Sequence, residues 1–143
     1  MLNQLTTFAA PIGRVLLSLI FITSGFSKIT GYAGTAGYMD MMGVPGALLP
    51  LVIIVELLGG LALLLGYQAR ISAFLLAGFS IVSGVLFHYI PGLGLEGMEA
   101  QMQMISFWKN VSIAGGMLMV TALGAGAFSL DNKLGTDSLS PAH

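Results

Sequence analysis

Four apolar stretches dominate this chain, and each is long enough to cross a bilayer. They run from about Phe8 to Ser27, Ala47 to Gly66, Ile71 to Ile90 and Phe107 to Phe128. At about 1.5 Å per residue, a helix of roughly 20 residues crosses the roughly 30 Å hydrocarbon layer. No water reaches backbone N–H and C=O groups there, so helix is the conformation that pairs them. Only 8% of the 143 residues are charged, where a soluble domain carries about a quarter, so the chain lacks the polar surface that water requires. The reading is an all-α integral membrane bundle of four transmembrane helices, a single domain over residues 1–131. A polar tail over residues 132–143 is expected to be disordered.

The connections refine this picture. Arg14 lies inside the first apolar run rather than ahead of it, and no A-x-A site follows, which predicts a retained helix and not a cleaved signal peptide. Only Tyr67 to Arg70 separate the second and third runs, so those helices are expected to be antiparallel neighbours. The first loop, about Ile29 to Gly46, gathers Tyr32, Tyr38, Met39, Met41 and Met42 around Asp40. That composition predicts a short helix lying in the interface and ending near Gly43 and Pro45. The third loop opens at Pro91–Gly92, carries Glu96 and Glu99, and turns Met-rich, which predicts a lengthening of the fourth helix by a turn or two. Arg14, Arg70 and Lys133 fall on the side shared by both termini and Lys28 and Lys109 on the other, so both termini are assigned to the cytoplasm.

Several chemistries are excluded by residue content. There is no cysteine, hence no thiolate nucleophile, iron–sulfur ligation or thiol relay within this chain. The only histidines are His88 and His143, too far apart in role and position for a bis-histidine haem, and no cluster of metal-ligand spacing exists. A net charge of −1 gives no electrostatic footprint for nucleic acid. Neither a nucleotide-binding loop nor a nucleophile–base motif is present. Neither haem nor metal is expected, and catalysis by the chain alone is not indicated.

The candidate site residues are the ionisable groups at membrane depth, which are costly there and normally face a bundle interior with partners. Glu56, near the middle of the second helix, is the sharpest and is read as a proton relay. A lone carboxyl at that depth is driven to its neutral acid by desolvation, whereas a neighbouring Arg14 or lysine retains the carboxylate. On the first helix Arg14, Ser18, Phe21, Gly25 and Lys28 recur at three- and four-residue steps and so share one face. Alternating helix directions bring Lys28, His88, Trp108, Lys109 and Asn110 to similar depth at the outer end. The expectation is a polar pocket there with Glu56 at its floor and Arg14, Lys28, His88, Trp108, Lys109 and Asn110 as ligand contacts. Each residue also has a plainer reading. Arg14 with Glu56 can be a structural ion pair, the lysines can snorkel to headgroups, and Trp108 can belong to the interfacial belt. His88 can be an interface residue, and the glycines can serve close helix packing.

Certain motifs resemble a known family. The run G-R-V-L-L-S-L-I-F-I-T-S-G-F-S-K from Gly13 to Lys28 resembles the opening of the DoxX family of bacterial inner-membrane proteins. So do G-T-A-G-Y-M-D-M-M-G-V-P from Gly34 to Pro45 and V-E-L-L-G-G-L-A-L-L-L-G from Val55 to Gly66. F-W-K-N-V-S-I-A-G-G from Phe107 to Gly116, with F-S-L-D at Phe128 to Asp131, is the most specific piece. The resemblance implies a four-helix bundle in the bacterial inner membrane. It carries Arg14, Lys28, Glu56, Trp108, Lys109 and Asn110 as motif positions without assigned roles. The family takes its name from a subunit associated with thiosulfate:quinone oxidoreductase, another member is linked to a membrane complex handling oxidative stress and thiols, and many have no defined activity.

Three functions follow as expectations. The first is a redox-associated subunit that binds a quinone or similar lipophilic carrier, with membrane redox proteins as partners and at most an accessory role in an oxidoreductase. The second is a small-solute or anion transporter or channel. The third is an assembly or scaffold factor. Small-residue faces at Gly59–Gly60 and Gly115–Gly116 are compatible with a homo-oligomer in the lipid bilayer.

Overall fold

The computed structural model describes residues 1–136, and all regular structure among them is helical. Helix α1 spans Leu2–Thr30, longer at both ends than its apolar run. A ten-residue helix, α2 (Tyr32–Met41), fills the first loop as expected. Gly43, at φ +80°, reverses the chain after it, and the Asp40 carboxylate accepts the Gly46 N–H at 2.7 Å. A 3-10 turn at Gly46–Leu48 runs straight into α3 (Leu49–Leu65). The α3 C-terminus closes on Gly66 in the left-handed region, where the Tyr67 N–H reaches back to the Ala62 carbonyl at 2.8 Å. This is the usual way orphan carbonyls of a last turn are satisfied.

After that turn, α4 (Ala69–Gly84) continues through a wide π turn at Val85–Tyr89 into the short α5 (Ile90–Leu93). Pro91 explains the wide turn: its nitrogen has no hydrogen, and its ring clashes with the carbonyl four residues back, that of Phe87. Helix α6 (Gly97–Leu123) starts ten residues earlier than its apolar run, because Glu99 and the Met-rich segment join it. Helix α7 (Leu130–Leu134) ends the described chain, so the polar tail does not begin as disordered chain at residue 132. The rest of that expected tail, 137–143, lies outside the described residues.

The core is one layer shared by four helices: Phe21 from α1, Leu63 from α3, Ala73, Leu76 and Ala77 from α4, and Ala114 and Met117 from α6. Glycines set the close approaches. A Cβ on Gly60 would sit 2.9 Å from the Ile22 side chain, and one on Gly25 2.7 Å from that of Leu57, so α1 and α3 pack backbone to side chain. The outside is apolar, with Leu16, Leu19, Ile54, Leu58, Phe74, Leu75, Leu118 and Met119 all exposed. So continuous an apolar surface is suited to acyl chains and not to water.

One expectation is corrected. Three helices are long and apolar enough to cross a membrane, Leu2–Thr30, Gly46–Leu65 and Ala69–Leu93, rather than four. Helix α6 has the length, 27 residues, but Ser106, Trp108, Lys109, Asn110 and Ser112 dilute its middle. It nevertheless runs along the whole height of α4. Arg70 donates to the Thr121 and Ala122 carbonyls near one end, and His88 meets Gln103 at the other.

Candidate functional site

Helix periodicity places Arg14, Ser18, Phe21 and Gly25 together, and all four are buried along one face of α1. Lys28 continues that face at the end of the helix. Its ammonium donates to both Glu56 oxygens, at 2.9 and 3.0 Å, and to the Ser24 hydroxyl at 2.6 Å. Glu56 is nearly sealed, its side chain 5% exposed, while that of Lys28 is 24% exposed. This is the ion pair on which the site is built. Two charges that would each be prohibitive alone satisfy one another, with the hydroxyl of Ser24 beside them.

Around the pair lies a cavity of about 450 Å³. Its wall is mainly apolar, from Phe21, Leu51, Val52, Phe79, Leu86 and Ile113. Lys28 and Glu56 enter from one side, and His88 and Asn110 from the other. Asn110 is fixed by its amide, which donates to the Ser80 carbonyl at 3.0 Å and the Ser83 hydroxyl at 3.2 Å. Gly84 makes room for it: a Cβ there would stand 3.0 Å from that of Asn110. His88 sits in the π turn, its Nδ1 2.8 Å from the Gln103 amide oxygen. Helix α2 contributes Thr35, Tyr38 and Met39 to the wall, and the Tyr38 ring stacks on Phe87 of the π turn at 5.9 Å.

The structure therefore brings Glu56, Lys28, His88 and Asn110 to one cavity and separates the other predicted residues from it. Trp108 and Lys109 are exposed on α6 and line an adjoining groove with Ile105, Ser106 and Ser112. Arg14 stands at the other end of the bundle. It does not pair with Glu56, because ten residues of helix between Arg14 and Ser24 amount to about 15 Å along the axis. Instead Arg14 donates to the Leu63 and Leu64 carbonyls (3.1 and 2.9 Å) and to those of Ala127 and Phe128 (3.2 and 2.9 Å). Its Nε is buried and has no hydrogen-bond partner among the described residues.

Sequence reasoning missed this clasp at the Arg14 end. Asp131 is buried, and its carboxylate accepts the N–H groups of Gln68 and Ala69 at 2.7 and 2.8 Å, capping α4 from a distant part of the chain. The Asp131 N–H in turn donates to the Gly66 carbonyl at 2.9 Å. The motif F-S-L-D carried the signal, since a carboxylate at lipid depth demands donors, but its donors are backbone amides with no side-chain signature. Among the described residues no three His, Cys, Asp or Glu side chains gather as metal ligands.

Comparison with known proteins adds the following. The DoxX family model matches residues 9–89. That span includes Arg14, Lys28, Glu56 and His88 and stops short of Trp108–Lys109–Asn110. The chain is 44% identical over 133 residues to the inner membrane protein YqjF of Escherichia coli (strain K12), covering 93% of this chain and 97% of that protein. It is 36% identical over 124 residues to the inner membrane protein YphA of the same organism, covering 85% and 87%. A shorter similarity, 33% over 64 residues, links it to the putative oxidoreductase CatD of Bacillus subtilis (strain 168), covering 45% of this chain and 48% of that one. No solved structure is significantly similar.

Proposed function

This chain belongs to the DoxX family, and on that premise we propose that it is an inner-membrane protein that holds a quinone or similar carbonyl-bearing lipophilic carrier for a redox system. The observation that carries the reading is the Lys28–Glu56 pair facing a largely apolar cavity of about 450 Å³. Binding sites for small organic molecules are of that size, apolar with few convergent polar groups. On this reading a planar ring lies against the edge-to-face pair of Phe21 and Phe79 and against Leu86, with one oxygen toward the Lys28 ammonium and another toward Asn110 or His88. A bound quinone supplies a two-electron, two-proton couple. Glu56 and Lys28 hold a proton beside the cavity, and Ser24 extends their hydrogen bonding. With no cysteine in the chain, electrons would come from a partner redox protein, so the role is accessory and the partner supplies the oxidoreductase chemistry. The limited similarity to a putative oxidoreductase is in keeping with this reading.

Holding is favoured over conduction. A transport path needs a polar route to the far end, and that end is filled by the Arg14 guanidinium and its four carbonyl partners, none of which lines the cavity. Helix α6 is read as a fourth membrane crossing, because it runs beside α4 from Arg70 to His88 and its polar residues Asn110 and Gln103 face partners there. The single domain is taken to extend through Asp131, whose cap ties the C-terminal segment to α4.

The test is extraction of purified protein from native membranes, with absorbance and mass spectrometry of the bound lipid fraction. A quinone retained near one per chain, and lost in Glu56→Gln and Lys28→Met, supports the reading. Absence of any carbonyl-bearing lipophile from protein that is folded and freshly extracted would overturn it.

A further inference from the structure

At two helix seams, residues that line the cavity are also exposed on the apolar outside of the bundle. One lies between α3 and α4, where the lining residues Leu51 and Val82 are each 58% exposed. The other lies between α1 and α6, beside Ile20 and Ile113. The remaining seams are fastened at cavity height: α1 to α3 by Lys28–Glu56, and α4 to α6 by Asn110 and by His88–Gln103. Helices α1 and α6 meet lower down, where Leu17 packs on Gly116 at 3.2 Å from a Cβ built there, and no hydrogen bond joins those two helices among the described residues.

The α1–α6 seam differs from the other in what lies outside it. The adjoining groove shares Ile20, His88, Asn110 and Ile113 with the cavity, so the two meet across those side chains. The outer part of the groove carries Ser106, Trp108, Lys109 and Ser112. Lys109 is exposed and makes no hydrogen bond or ion pair among the described residues. It also sits level with Asn110, which touches Ser80 near the middle of the apolar span Ala69–Leu93, and so lies inside the apolar height of the bundle. An ammonium at that depth with no counter-charge is costly. A visiting ligand oxygen would satisfy it, and Trp108 offers an aromatic face alongside.

We propose that the cleft between α1 and α6 is a side entrance from the bilayer, through which a membrane-dissolved, carbonyl-bearing lipophile passes Lys109 and Trp108, slips between Ile20 and Ile113, and reaches Lys28 and Glu56. This rests on the reading of the cavity as a ligand site. It specifies that the ligand arrives from lipid and keeps an apolar tail in the groove while its ring occupies the cavity. Lys109 is a guiding contact at the mouth and not a residue of the inner site. Ile20 and Ile113 form the constriction.

Because the chain contains no cysteine, introduced thiols have no background. The full chain carrying Ile20→Cys and Ile113→Cys is reconstituted in liposomes and joined by a short bis(methanethiosulfonate) linker, which forms a reducible disulfide to each cysteine with release of methanesulfinate. The probe is an azidobenzoquinone with an isoprenoid tail, and the readout is photolabelled peptides from the Lys28 and Glu56 region by mass spectrometry. Linking before the probe is added should lower cavity labelling at least about tenfold in the loading time, since entry then waits on a blocked path. Reduction of the linker should restore it, and linking after loading should leave it intact. The same linker on Leu51→Cys with Val82→Cys should not slow labelling. Equal labelling in linked and reduced Ile20/Ile113 protein, or a block found only with the Leu51/Val82 pair, overturns the entrance and leaves the cavity reading standing. If the reduced protein shows no cavity labelling at all, the cavity reading fails and the entrance with it.

Discussion

At the residue scale, Lys28 and Glu56 are each defensible only because of the other. Removing the carboxylate leaves an ammonium against an apolar wall, and removing the ammonium leaves a carboxylate that is 5% exposed. Breaking a buried pair costs about 3–5 kcal/mol, and the partial exposure of Lys28 reduces this to about 1–3 kcal/mol here. Glu56→Gln and Lys28→Met should each lower stability by that amount in a detergent or denaturant titration. The double variant should cost clearly less than their sum, with a coupling of about 1 kcal/mol or more. Strict additivity would mean that the contact contributes nothing to the fold. Arg14 makes a different case. Its guanidinium serves four carbonyls on two chain segments, which a three-donor ammonium cannot copy. Arg14→Lys should therefore destabilise by about 1–3 kcal/mol, by loss of charged hydrogen bonds, while leaving ligand retention in folded protein unchanged. Loss of ligand from fully folded Arg14→Lys would move Arg14 into the binding site. The sequence made Arg14 visible as a buried cation but not its partners. Carbonyls of Leu63, Leu64, Ala127 and Phe128 look the same whatever side chains they carry, so only the fold reveals them.

At the scale of elements, the feature that shapes the cavity most is the wide turn between α4 and α5. Pro91 denies the Phe87 carbonyl its regular donor, and the extra residue turns Phe87 and His88 toward α2 and α6. Pro91→Ala restores a donor at position 91 and should let the helix regain its ordinary register, turning the residues on one side of it by about 100°. The Tyr38–Phe87 stack would then be lost, a contact of about 0.5–1.5 kcal/mol. Hydrogen exchange of the Tyr32–Met41 amides should accelerate about two- to tenfold, since a tenfold change corresponds to about 1.4 kcal/mol. Unchanged exchange in α2 would show that the stack does not hold it down. Elements read well from the sequence where apolar periodicity was long. The short helix of the first loop was legible in its Tyr- and Met-rich composition and its Gly43–Pro45 stop. The wide turn was not, because Pro91 after an apolar run reads equally as a helix end. The start of α6 was legible in part: the Met-rich segment predicts a lengthening by a turn or two, and the helix begins ten residues ahead of Phe107, nearly three turns.

For the whole molecule, the number of crossings fixes which elements share a side of the membrane. The Arg14 end of α1, the Gly66–Ala69 turn and the segment after α6 are locked together by Arg14 and Asp131. On the proposed reading of α6 as a fourth crossing, they lie on one side of the membrane, and α2 with the α5–α6 connection lies on the other. Such an arrangement needs α6 to cross, although its own composition falls short of the three more apolar helices. Its burden is lightened because Asn110 and Gln103 are bonded to α4 and His88 and not offered to lipid. Arg14, Arg70 and Lys133 are all placed at the clasped side, and the proposal that this side faces the cytoplasm rests on that bias of basic residues. Single cysteines in the otherwise thiol-free chain decide the matter in intact cells. Asn3→Cys, Tyr67→Cys and Lys133→Cys should resist a membrane-impermeant maleimide until the cells are opened, whereas Tyr32→Cys and Leu95→Cys should react from outside. If Lys133→Cys were labelled from outside while Asn3→Cys stayed protected, α6 would not cross. The clasp between Arg14 and the Ala127–Phe128 carbonyls would then have no counterpart in the membrane.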